Sequence, residues 1–136
     1  MGRIIKIENA NRVRTQLMRS IILSIRELMS PSEPNQQTLD IAAYISLALT
    51  EIFLSIDGSV EAWEKRGYWI KADRYRQEWI WAENLGKAMR TAALEKDWGK
   101  IAVTAAQVAE KLKKVDVPKR NKIGTPWIGA FQRISK

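Results

Sequence analysis

Neither cysteine nor histidine occurs anywhere in the 136 residues, and the two absences exclude much ordinary enzyme chemistry. Without cysteine there are no disulfides, thiolate nucleophiles or cysteine metal sites, a composition that fits a reducing compartment. Without histidine there is no side chain that titrates near neutrality at its ordinary pKa, no serine–histidine or cysteine–histidine pair and no imidazole metal ligand. Most hydrolytic mechanisms fall away, so the chain is expected not to be an enzyme. Strand-like alternation is missing too, apart from a short extended piece expected at "RIIKI", and there is no internal repeat or low-complexity tract.

Long apolar runs are equally scarce. The most apolar window, Ile41 to Ile56, spans 16 residues and contains Glu51, short of the about 20 residues that a bilayer crossing needs. It reads as a core helix, and no membrane insertion is expected. Lys6, Glu8 and Arg12 interrupt the N-terminal "MGRIIKIENANRVR", so no secretion signal is inferred and a cytoplasmic location is expected. No glycine-rich phosphate loop occurs, since "KIGTPWIG" lacks both its spacing and its lysine position. Glu61 and Glu64 stand three apart, but a bundle-core di-iron site wants Glu-x-x-His pairs. Both glutamates therefore read as helix-start residues, and neither a metal nor a cofactor is expected.

What the chain does contain is 46% hydrophobic and 28% charged residues, the balance of an ordinary globular protein, in a length suited to one core. The net charge of +8 is unevenly spread. Residues 1–30 hold six Lys/Arg against two acids, residues 31–110 nine against twelve, and residues 111–136 eight against one. A slightly acidic body with basic ends suits an acidic partner such as RNA or DNA, and equally suits simple solubility.

Helical periodicity accounts for most of the chain. Val13, Leu17, Ile21, Ile25 and Leu28 follow helical spacing from Asn11 to Met29, and "SPSEP" ends that helix. Asn35 caps a second helix that is apolar on nearly every side through Ile56. "DGS" at 57–59 is expected to break it, with Ser59 capping a long third helix that reaches Leu94. Asp97 caps a fourth, whose inner face is Ile101, Ala105, Val108 and Leu112. Beyond Asp116 comes a Pro-, Gly- and cation-rich stretch, then Thr125-Pro126 as N-cap and first turn of a short amphipathic helix with Trp127, Phe131 and Ile134 on one side. The expected fold is all-α: an antiparallel four-helix bundle over residues 1–115 with a basic C-terminal arm over 116–136.

"RGYWIKADRYRQEWIW", residues 66–81, poses the sharpest question, because five large aromatic rings lie among four cations. Tyr68, Ala72, Tyr75, Trp79, Ala82, Gly86, Met89 and Ala93 form a seam by alternating steps of four and three. Trp69 with Ile80, and Ile70 with Trp81, make two more apolar strips, so the helix is expected to be buried on three sides. Between the strips runs a polar line of Arg66, Asp73, Gln77, Asn84 and Thr91, either a groove floor for planar or anionic groups or a satisfied seam between helices or subunits. Glu51 is expected to be buried and paired with Arg66 or Arg74.

Two functional readings follow. In the first, the nearly all-apolar second helix offers almost no polar residues to water, so the chain is a non-catalytic, homo-oligomeric interaction or scaffold module, whose arm (Trp127, Phe131, Ile134) docks on a protein partner or folds back on its own body. In the second, it is an accessory subunit of a ribonucleoprotein or DNA-handling assembly that binds backbones without base readout. Arg12, Arg19 and Arg26, seven apart on one helical stripe, and Lys119, Arg120 and Lys122 in the tail are then the phosphate contacts. No helix-turn-helix, zinc-finger or basic-zipper pattern accompanies them.

Overall fold

Asn35 begins the element around which the protein is built. Its side-chain oxygen accepts from the N–H groups of Gln37 at 2.9 Å and Thr38 at 3.3 Å, while Thr38 Oγ1 accepts from the Asn35 N–H at 3.0 Å. This reciprocal capping box satisfies donors that a helix start leaves orphaned. The computed structural model describes residues 7–30 and 32–136; residues 3–6 of "RIIKI" and Pro31 of "SPSEP" lie outside them. Five helices result: α1 (Ile7–Leu28), α2 (Gln36–Lys65), α3 (Trp69–Leu94), α4 (Trp98–Lys111) and the short α5 (Ala130–Ile134).

The fold is all-α, a four-helix bundle with the C-terminal segment laid back across it. Side-chain pairs show the antiparallel order. Between α2 and α3, Ser46 meets Gly86, Asp57 meets Arg76 and Trp63 meets Tyr75, so one number rises as the other falls. Between α1 and α2, Ser20 meets Tyr44 and Glu27 meets Gln37 in the same sense.

The expected break at Asp57–Ser59 does not occur. α2 continues through it to Lys65 because Ile56 and Val60 are fully buried with Ala72, under Trp63, Tyr75 and Trp79. Burying two such side chains stabilises by about 1.5–3 kcal/mol each, more than the roughly 1 kcal/mol cost of a helical glycine at Gly58. Ser59, rather than capping, turns its hydroxyl back to the Ser55 carbonyl. The chain reverses instead at Gly67, whose φ of 83° is left-handed. There the Gly67 N–H reaches the Glu64 carbonyl and the Tyr68 N–H the Trp63 carbonyl, the paired bonds of a Schellman cap. As one helix of 30 residues α2 has the length and composition to cross a bilayer, which the 16-residue window did not. In this fold 56% of its most apolar stretch is buried against neighbouring helices.

α3 is less covered than its three apolar strips imply. Ala72, Ala82, Gly86, Met89 and Ala93 of the seam are buried, but Tyr68 is 55%, Trp69 63% and Ile70 74% exposed. The cause is length. α4 has 14 residues against 26 in α3, so at about 1.5 Å rise per residue it covers only the C-terminal half. Where cover is complete, contact is tight: a Cβ on Gly86 would stand 3.3 Å from Leu49 Cβ, and the Gly86 carbonyl accepts from Ser46 Oγ at 2.8 Å.

α1 is also rotated from expectation. Ile21 and Ile25 are buried, but Val13 is 52% exposed and Arg14 only 5%. Arg14 stands seven before Ile21 and occupies the inward heptad position that the apolar count had passed over.

The end of α3 repeats the cap of α2 with a residue less suited to it. The Lys96 N–H reaches the Ala93 carbonyl and the Asp97 N–H the Ala92 carbonyl, while Lys96 itself has a φ of 53°. Lys96→Gly should therefore raise stability by about 1 kcal/mol, read as a higher urea midpoint; an unchanged or lower midpoint would contradict the strain assigned to this position.

Candidate nucleic-acid interface

Arg12, Arg19 and Arg26 form a row down one side of α1, spaced by about 10 Å from the helical rise. Arg12 and Arg26 are exposed, whereas Arg19 is half-buried because its Nε–H donates to the Asp116 carbonyl at 2.9 Å. That bond ties the basic start of the chain to its basic end. From Asp116 the backbone runs along α1 toward Arg12, since Arg12, Leu17, Ile123 and Pro126 border one surface hollow. Between these points Asn121 folds the segment upon itself, donating to the Pro118 carbonyl at 3.1 Å and accepting from the Ile123 N–H at 3.2 Å. Lys119, Arg120 and Lys122 are left exposed. Two basic segments a hundred residues apart in sequence thus run side by side. Among the neighbouring lysines, Lys113 stands 2.7 Å from Glu110. This hydrogen bond, with the lysine's charge behind it, holds the Glu110 carboxyl below its ordinary pKa, so Lys113 is already partnered.

The C-terminal arm folds back on its own bundle. Trp127, Ala130 and Ile134 are buried in the same core cluster as Ile21, Leu49 and Ile101, with Phe131 packed against it. The helix there is shorter than Thr125-Pro126 implies: α5 starts after Gly129, whose φ is 78°. This left-handed turn lets the N–H groups of Gly129 and Phe131 both reach the Asp40 carboxylate, at 3.3 and 3.0 Å. Arg90 Nη2 completes the attachment by donating to the Ile134 carbonyl at 3.3 Å. The basic segment is therefore anchored at both ends, by Arg19 of α1 on one side and by Asp40 of α2 on the other.

The polar line divides between two helices, with Arg66 at the C-cap of α2 and Asp73, Gln77, Asn84 and Thr91 on α3. Arg66, Asp73, Gln77, Asn84 and Thr91 are all exposed. The helices were expected to pack on three sides of α3, and α4 is too short to do so. Glu51 is likewise exposed, and none of the ion pairs among the described residues includes it. The charged contact across the α2–α3 interface is made instead by Arg76, 3.2 Å from Asp57 and 3.7 Å from Glu64. The Asp57 hydrogen bond is the main cause that raises the Arg76 pKa above its ordinary value. Glu64 thus stands beside a cation, and Glu61 is exposed.

One residue outside the sequence reading stands apart from this face. Arg14 lies about 200° around α1 from Arg12, against Tyr75 on α3. Its seven-residue spacing to Ile21, with a tyrosine in the facing seam, was the signal that placed it inward. No protein-family model, curated protein or solved structure matches the chain.

Asp40→Ala should cost about 2 kcal/mol, because it removes a charged acceptor shared by two backbone N–H groups. Limited proteolysis within residues 117–128 should accelerate in parallel; cleavage at the wild-type rate would show that the arm is held without this carboxylate.

Proposed function

We propose that the protein binds nucleic-acid phosphate backbones without base readout, as a non-catalytic accessory subunit of a ribonucleoprotein or DNA-handling assembly in the cytoplasm. One observation supports the reading: the Arg19–Asp116 bond draws the segment that carries the exposed Lys119, Arg120 and Lys122 alongside the α1 helix that carries the arginine row. A helix row of cations alone is the common solvated side of an amphipathic helix. A row doubled by a second, anchored basic segment can follow a phosphate backbone, because each contact releases condensed counterions and contributes without any base recognition. The lack of histidine and cysteine supports a binding role over a catalytic one.

Binding to duplex DNA by these six cations should weaken with salt at a log–log slope of about −5, and less steeply for single strands. Replacing Arg12, Arg19 and Arg26 together by alanine should flatten that slope by about 2 to 3 and weaken binding at least roughly tenfold near physiological salt. A circular-dichroism melt of the variant separates this from loss of the Arg19 bond. Binding that is absent at physiological salt, or that ignores the substitutions, would sink the reading.

A second reading, a homo-oligomeric scaffold, is favoured by a separate observation. Tyr68, Trp69 and Ile70 present consecutive large side chains to solvent beside the α2–α3 turn, and contiguous apolar surface of this kind marks association sites. Sedimentation across micromolar concentrations should then show a dimer or larger species that Trp69→Ser with Ile70→Ser returns to monomer. A wild-type monomer throughout that range removes this reading and leaves the first intact.

A further inference from the structure

Arg14 is 5% exposed, and its guanidinium is met by a hydroxyl instead of a carboxylate: Nη1 donates to Tyr75 Oη at 2.6 Å. Its Nε–H is buried and has no hydrogen-bond partner among the described residues. Arginine is a permanent cation, and taking one out of water is unfavourable unless an anion and hydrogen bonds compensate. No ion pair among the described residues supplies that anion. Arg14 borders a pocket of about 210 Å³ shared with Asn11, Ser59, Trp63, Arg66 and Tyr75. Among the described residues, no aspartate or glutamate lines it. Trp63 and Tyr75 meet edge to face at 5.0 Å between ring centroids and make an aromatic wall.

We infer that this pocket is a binding site for a small oxyanion, a carboxylate or a phosphate carried on a small organic body. Each wall has a part in it. Arg14 brings to the pocket's edge a guanidinium charge that is already desolvated, so electrostatic attraction to an oxyanion is stronger than at the surface. Tyr75 accepts from Arg14 and so keeps its own hydroxyl proton free to donate onward. Arg66, exposed at the end of α2, adds a second guanidinium at the margin. Trp63 and Ala62 face the apolar part of the ligand. The site is independent of the basic face: Arg14 lies about 200° around α1 from Arg12, and the hollow beside Ile123 shares none of its lining residues.

The test titrates the full-length protein, at ionic strength held constant with chloride, with inorganic phosphate, 5′-AMP and benzoate by calorimetry and thermal melting. At least one probe should bind saturably and raise the melting temperature with concentration, and the preferred probe assigns the headgroup as phosphate or carboxylate. Arg14→Met should weaken that binding by at least roughly tenfold. It should also raise the melting temperature without ligand, because an uncompensated buried cation gives way to an apolar chain of similar length. Arg66→Gln, at an exposed position, should leave the ligand-free melting temperature unchanged and weaken binding severalfold, while Arg12→Ala should change neither. The proposal is overturned if no probe saturates by about 10 mM, if Arg14→Met lowers the ligand-free melting temperature, which would make Arg14 a structural strut, or if Arg66→Gln binds as well as wild type.

Discussion

α2 has apolar side chains around nearly its whole circumference, and keeping water from all of them decides where the other elements go. Leu39, Ile41, Ile45, Leu49, Ile52 and Ile56 are buried on different sides of the same helix. No single partner helix can cover such a surface, because a neighbour shields only one stripe. α1 and α3 take two sides, and the C-terminal segment takes a third with Trp127, Ala130 and Ile134. Part of the apolar surface of α2 is thus covered inside one chain, while Leu54 stays 61% exposed. The same demand gives Asp40 its place, since a segment returning to the bundle must satisfy backbone donors where it turns.

Contact between α2 and α3 is close because small residues line it. Gly86 lies against Leu49 and Ser46, and Ala72, Ala82 and Ala93 are fully buried along the same seam. Small side chains let the backbones approach, and the Ser46 hydroxyl then bonds across to a carbonyl. Past the reach of α4 this hairpin continues beside the start of α1, with Ile56, Val60 and Ala72 as a small core of its own. The overhang explains two features together. It leaves Tyr68, Trp69 and Ile70 in water, and it places Trp63 and Tyr75 at an edge where α1 contributes Arg14 and no further helix closes the space.

α1 divides two electrostatic environments. Its outer side carries Arg12 and Arg26 in high dielectric, where each charge attracts anions weakly and the attraction fades with salt. Its inner side carries one arginine out of water, where a single anion interacts strongly and geometry selects it. Burial alone separates these uses of one residue type. The C-terminal segment sharpens the difference, because it adds charge to the outer side and leaves the inner pocket untouched.

The sequence by itself determined the local chemistry: the caps at Asn35 and Asp97, the inner face of α4 through Ile101, Ala105, Val108 and Leu112, and the all-helical class. These depend on neighbours within a turn, whose spacing is written in the chain. Only the tertiary structure decided that α2 runs through Gly58, because the burial of Ile56 and Val60 against Ala72 outweighs a local breaker. It likewise decided that Glu51 faces water while Arg14 does not. Helix rotation and relative length control such exposure, and both arise from packing partners tens of residues away. The basic face is divided in the same manner: its charges are legible in composition, but their union required the Arg19–Asp116 bond, 97 residues apart, which no local pattern encodes.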